Sequence, residues 1–206
     1  MLLSLLPTLL LLLLPNPTHA VPFATLTHLS SNGSDCGGFG GSGIHLGDTS
    51  SQLWTVFERF APYIGPGITL SQGRTICQVT ANVSFSEPGY RIMLGSIKGA
   101  LRGYLKVGKG GIVNVSARYW WEGSTTQGST VETLRGPIWG TFEQGFGTGQ
   151  NDGDVWSPCG GGTLNVMYQT RTTAQGELSK GELAVEPQPG EETWHILSGV
   201  LWEKCA

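Results

Sequence analysis

Residues 112–121, "IVNVSARYWW", decide the fold class. Neighbouring side chains of a strand point to opposite faces. Val113, Val115, Ala117, Tyr119 and Trp121 therefore share one face, and Asn114, Ser116, Arg118 and Trp120 the other. An apolar face backed by a polar one is the pattern of a half-buried antiparallel strand. It separates the two adjacent tryptophans, sending Trp121 into a core and leaving Trp120 outside beside Arg118.

The same period runs through the chain on either side. In residues 77–85, "CQVTANVSF", Cys77, Val79, Ala81, Val83 and Phe85 fall on one face and Gln78, Thr80, Asn82 and Ser84 on the other. "EPGY" then turns the chain, and an extended run resumes over residues 90–94. "LRGYLKV" (101–107) alternates and is closed by "GKGG"; "VETLRGPIWGTFE" (131–143), "GTLNVMYQTRT" (162–172) and "TWHILSGVLWEKC" (193–205) supply further strands. Leu164, Val166 and Tyr168 are expected inward, and Leu197, Leu201 and Cys205 on a common face. In "QLWTVFERFAPYIGPG" (52–67), Leu53, Phe57 and Phe60 also fit a helical spacing, but the β-branched and aromatic content favours a strand. Pro66 and Gly67 suit a type II turn after it. Short strands joined by Gly-rich turns make this an all-β chain, a single antiparallel β-sandwich or flattened barrel. Trp54, Trp139, Trp156, Trp194 and Trp202 are assigned to its core or core edge.

The leucine run at residues 2–14 is too short to span a bilayer, and it ends in the small-residue exit Thr18-His19-Ala20. No Lys or Arg precedes it, yet its length and flanks read as a secretory signal over residues 1–20. Residues 21–206 are then one secreted domain, with no membrane span expected in the mature form. Twelve basic and 15 acidic residues give a net charge of −3 without a basic cluster, which excludes nucleic acid as a partner. Cys36, Cys77, Cys159 and Cys205 are at least 41 residues apart with no CxxC, so disulfides are expected and a metal site is not. Three pairings are open. Cys36–Cys77 with Cys159–Cys205 is favoured, each bridge closing a loop worth roughly 4 kcal/mol in the chain-entropy model. Asn32, Asn82 and Asn114 each open an Asn-X-Ser triplet and are candidate glycosylation sites.

Several groups of residues occur together in one order: "FERFAPYIGPG" (57–67), Cys77-Gln78, Arg102-Gly103-Tyr104, Gly136-Pro137, "VWSPCG" (155–160), and Trp202 three residues before Cys205. This set resembles the small secreted fungal proteins grouped as the domain of unknown function 4360, across roughly Cys36 to Cys205. The resemblance implies a secreted, disulfide-bonded, β-rich domain and carries over the cysteines alone.

No motif assigns a reaction. "SPCGGGT" (157–163) lacks the Lys-Ser/Thr and the following helix of a phosphate loop, and reads as a turn whose glycines allow positive φ beside a disulfide. His28, His45 and His195 stand in different contexts without a GxSxG elbow. His45 precedes Asp48 in a local turn, and His195 reads as a partly buried imidazole. "NDGD" (151–154) lacks the spaced ligands of a calcium loop. Glu122, Glu132, Glu143, Glu182 and Glu203 could supply the paired carboxylates of a polysaccharide hydrolase, but nothing singles out a pair. No catalytic residue and no cofactor is expected. Trp120 and Arg118, with Tyr104 on the matching face of a neighbouring strand, form the candidate contact surface, for a glycan or an extracellular protein. The leading expectation is a non-catalytic secreted binding or cell-surface protein. The alternatives are a wall-active hydrolase and an effector that binds a host protein.

Overall fold

The computed structural model describes residues 22–33, 36, 42–47, 51–57, 60, 62, 69, 71, 73–94, 99–147, 155–174 and 194–206. Eleven strands run through them: β1 (Ala24–Gly33), β2 (Ser42–Leu46), β3 (Gln52–Phe57), β4 (Arg74–Phe85), β5 (Tyr90–Leu94), β6 (Gly99–Val107), β7 (Gly111–Trp121), β8 (Gln127–Arg135), β9 (Ile138–Phe146), β10 (Gly161–Ala174) and β11 (Trp194–Lys204). Among the described residues there is no helix. The first sheet has the order β1-β4-β10-β7-β8. The second has β2-β3-β11-β6-β9, with β5 paired on the C-terminal half of β11. All these pairings are antiparallel.

The alternation carried by each strand packs the two sheets face to face. Val113, Val115, Ala117, Tyr119 and Trp121 of β7 are buried, as are Cys77, Val79, Ala81 and Val83 of β4 and Leu164, Val166 and Tyr168 of β10. Leu53, Leu101, Leu105, Ile196 and Val200 meet them from the second sheet. Each such side chain contributes about 1.5–3 kcal/mol relative to exposure. Phe57 and Phe60 stack with centroids 4.4 Å apart and Tyr168 meets Phe57 edge-on. The ambiguous segment is thus a strand over Gln52–Phe57, and Leu53, Phe57 and Phe60 all enter the core. The "GPG" turn after it and the "NDGD" turn lie outside the described residues.

Several polar groups inside are paired, whereas the Trp54 and Trp121 Nε1 atoms are buried without a hydrogen-bond partner among the described residues. The Tyr168 hydroxyl shares a 2.6 Å hydrogen bond with Thr55, and burial pushes its phenol well above the usual tyrosine range, the Thr55 bond acting against that. Thr75 and Thr170 share another, and Thr75 Oγ1 donates to the Phe60 carbonyl at 3.3 Å.

Both favoured disulfides are formed. Cys36–Cys77, with Cα atoms 4.9 Å apart, lies in the core; Cys159–Cys205, at 6.3 Å, joins the turn before β10 to the end of β11 nearer the surface. The turn beside Cys159 matches the reading of its glycines. Gly160 (φ 82°) and Gly161 (φ 111°) take the left-handed region, and a Cβ on Gly161 would stand 2.0 Å from the Val83 carbonyl oxygen.

One expectation needs correction. Trp139 is 58% exposed, because the β9 residues that reach the core are Ile138, Phe142 and Phe146, and alternation turns Trp139 away from them. On β11 the core-facing set is Trp194, Ile196, Val200 and Trp202; Leu197 and Leu201 share the alternate face, Leu197 buried and Leu201 exposed. Trp156 and Trp202 sit half-buried at the core edge, under the Arg91 guanidinium and against Phe85 respectively.

Candidate functional site

With the core on the inner faces, the chemistry left for contact is on the two outer ones. The structure divides the predicted contact residues between them. Trp120 and Arg118 project from β7 on the first sheet, whereas Tyr104 projects from β6 on the second. Around Trp120 the register sets Gln127 on one side and Asn165, Thr80 and Ser30 on the other. Arg118 is flanked by Ser129 and by Met167, Gln78 and Asn32. Thr80 Oγ1 donates to Asn165 Oδ1 at 2.9 Å and Arg74 Nη2 to Gln169 Oε1 at 2.9 Å. This face carries hydroxyls and amides, the exposed arginines Arg74, Arg118 and Arg171, the apolar Met167 and Val131, and one half-buried indole.

The second outer face is built from rings and charges. On β3, Leu53, Thr55 and Phe57 are buried, so Trp54 and Val56 alternate outward, both half-buried; on β11, His195 and Leu197 alternate outward, His195 half-buried and Leu197 buried. On β6, Leu101, Leu105 and Val107 go in and Arg102, Tyr104 and Lys106 come out. On β9, Trp139, Thr141 and Glu143 come out. The register aligns Trp54 with Leu197 and Ala100, Val56 with His195 and Arg102, Tyr104 with Thr141, and Lys106 with Trp139. Trp54, His195, Tyr104 and Trp139 thus stand on four successive strands, each one outward position further along than the last. Diagonal neighbours in an antiparallel sheet lie about 7–8 Å apart, so the line of rings extends roughly 20–25 Å. Trp54 and His195 meet edge-to-face at 6.5 Å, and His45 of β2 stands opposite Trp54.

Local sequence holds this line in place. A Cβ on Gly103 would stand 2.9 Å from the Trp194 ring, so glycine lets that indole lie directly beneath β6. Its Nε1 then donates to the Tyr104 carbonyl at 3.2 Å. Polar groups flank the rings. Arg102 Nη2 donates to Glu143 Oε1 at 2.9 Å, and the Lys106 ammonium stands 5.5 Å from the Tyr104 ring centroid.

The other chemical candidates are dispersed. Glu143 is tied to Arg102, Glu203 accepts from Arg91 Nε at 2.7 Å, and Glu132 accepts from Gln144 Nε2 at 3.5 Å. Glu182 lies outside the described residues, as does Asp48, the expected neighbour of His45. His28 Nε2 is 2.8 Å from Ser31 Oγ. Among the described residues no cluster of three His, Cys, Asp or Glu is placed to hold a metal ion.

Trp54, His195 and Trp139 were not singled out for contact from the sequence. For Trp139 the signal was present in "IWGTFE", where Ile138 and Phe142 alternate against it. The diagonal itself depends on which strands become neighbours, and β3, β11, β6 and β9 are adjacent only after folding.

The family model described as "Domain of unknown function (DUF4360)" matches residues 24–205. A protein of Arthroderma benhamiae named "Uncharacterized secreted protein" is 30% identical over 175 residues, covering 81% of this chain and 69% of the relative. Among solved structures, TmCBM61 in complex with β-1,4-galactotriose gives a TM-score of 0.30 at 10% identity, over 85% of this chain and 87% of that one.

Proposed function

Because the chain belongs to the DUF4360 family, which brings no activity with it, we propose its role from geometry: a non-catalytic extracellular protein that holds a polysaccharide against the outer face of its second sheet. Export rests on the leucine-rich signal at residues 1–20 and cleavage after Ala20, and the relative named as secreted supports it. The observation that carries the binding reading is the diagonal of Trp54, His195, Tyr104 and Trp139. A ring face is electron-rich and attracts the C–H face of a pyranose, while edge groups of the sugar need hydrogen bonds. Arg102, Glu143, Thr141 and Lys106 offer them beside the rings. Protein-binding hot spots gather in a central desolvated cluster. A line of rings interrupted by charges fits an extended polymer better.

Nothing in the site calls for bond cleavage. Glu143 is held by Arg102, and catalysis by a glycosidase requires a second carboxylate opposite the first. The test is retention on insoluble chitin, glucan and cellulose. Each ring that stacks is worth about 1–3 kcal/mol, taking base–aromatic stacking as the guide. Tyr104→Ala and Trp139→Ala are therefore each expected to weaken retention about fivefold to a hundredfold with little change in melting temperature, and Trp120→Ala to leave it unchanged. Capture of one extracellular protein, with every polysaccharide ignored, contradicts the proposal in favour of the partner-binding alternative.

A further inference from the structure

Asn32, Asn82 and Asn114 are scattered over β1, β4 and β7, and strand alternation could have sent each inward or outward. The register sends all three to the outer face of the first sheet. Asn32 pairs with Gln78, Asn82 stands between Thr27 and Thr163, and Asn114 between Thr133 and Arg171. The hydroxyl residue of a sequon lies two places on, so in a strand it shares the asparagine's face; Ser84 is exposed and Ser116 half-buried there. Thr133 Oγ1 donates to Asn114 Oδ1 at 2.9 Å, which engages the amide oxygen rather than Nδ2, the atom to which a glycan is joined. Asn82 and Asn114 are separated along β10 by the eight residues from Thr163 to Arg171, roughly 27 Å, enough to keep two glycans from crowding.

We infer that the first sheet's outer face is the glycan-bearing side of the molecule, with N-linked oligosaccharides at Asn32, Asn82 and Asn114. The inference rests on the proposed export. Transfer joins Nδ2 to the anomeric carbon of an oligosaccharide carried on a lipid pyrophosphate; the pyrophosphate leaves and Nδ2 gives up one proton. The hydroxyl- and amide-rich surface around Trp120 is then shielded by the protein's own sugars, and the ring diagonal, exposed at Trp139 and half-buried at its other three rings, lies on the opposite side.

Protein secreted from a eukaryotic host, analysed by peptide mass spectrometry before and after an N-glycosidase that converts glycosylated Asn to Asp, tests this. All three sites are expected to be occupied. Asn32→Gln, Ser84→Ala and Ser116→Ala are each expected to remove one glycan's mass. The two serine variants break the sequon while keeping the asparagine and the Asn114–Thr133 bond; Ser116→Ala gives up only the 3.4 Å hydrogen bond from Ser116 Oγ to the Gln169 carbonyl. Retention on polysaccharide is expected to be unchanged after enzymatic deglycosylation. Secreted protein lacking glycan at any of the three sites overturns the inference. Occupancy is read whether or not any polysaccharide is held, so three occupied sites with no retention would uphold this inference and remove the binding proposal.

Discussion

The two outer faces of the sandwich share one backbone plan and differ in what the alternate positions carry. On the first sheet those positions are Thr80, Asn165, Gln78, Gln169 and Ser116, with Trp120, the three sequon asparagines, the arginines Arg74, Arg118 and Arg171, and the apolar Met167 and Val131. On the second they are Trp54, His195, Tyr104 and Trp139, with Arg102, Glu143 and Lys106. Inward positions are constrained on both sheets by the need to fill one dry layer, so they read alike: Val, Leu, Ala, Phe and Trp. Outward positions are free of that constraint, and a difference between the two faces therefore reports on what each one meets.

The largest effect expected from perturbing this arrangement falls on the scaffold beneath both faces. The two disulfides close sequence separations of 41 and 46 residues, each worth roughly 4 kcal/mol in the chain-entropy model against a total margin of about 5–15 kcal/mol. Reduction of both is expected to lower the melting temperature by well over ten degrees, and an unchanged melt with thiols confirmed free would contradict the account. The two bridges also differ. Replacing the core pair Cys36 and Cys77 by alanine is expected to cost more than replacing Cys159 and Cys205, because it leaves a void as well as a longer unfolded loop.

Next in size comes the tryptophan pair at the end of β7. Trp121 is buried and Trp120 half-exposed. Trp121→Ala is expected to lose about 3–5 kcal/mol by chemical denaturation and Trp120→Ala less than about 1 kcal/mol. Comparable losses at the two positions would mean that the division into inner and outer faces is wrong at this strand.

The inner half of this molecule was legible in the sequence because burial imposes a period that single segments display. "CQVTANVSF" and "IVNVSARYWW" each reveal their face without knowledge of any neighbour. The edge strands were harder. In β1 the exposed Leu29 and a register shift between His28 and Ser30 blur the alternation, and β2 offers only Ile44 and Leu46 as apolar residues. Both strands therefore went unread. The outer faces were legible residue by residue but not as assemblies. Tyr104 was recognised as outward-facing, yet it was grouped with Trp120 because nothing local tells that β6 and β7, joined by a tight turn at Gly108–Gly111, enter different sheets. Core or core edge is what the sequence suggests for both Trp54 and Trp139; the half-buried Trp54 keeps to an edge position, whereas the register turns Trp139 out to solvent.

The division of labour between the faces is tested most directly by backbone and side-chain NMR shift mapping with a soluble oligosaccharide of whichever polysaccharide retains the protein. The account predicts shifts along β6 and β9, at Arg102, Tyr104, Trp139 and Thr141, extending to His195 and Trp54, with Trp120, Asn165 and Gln127 silent. Shifts centred on Trp120 and its neighbours, with the second sheet unmoved, would contradict it.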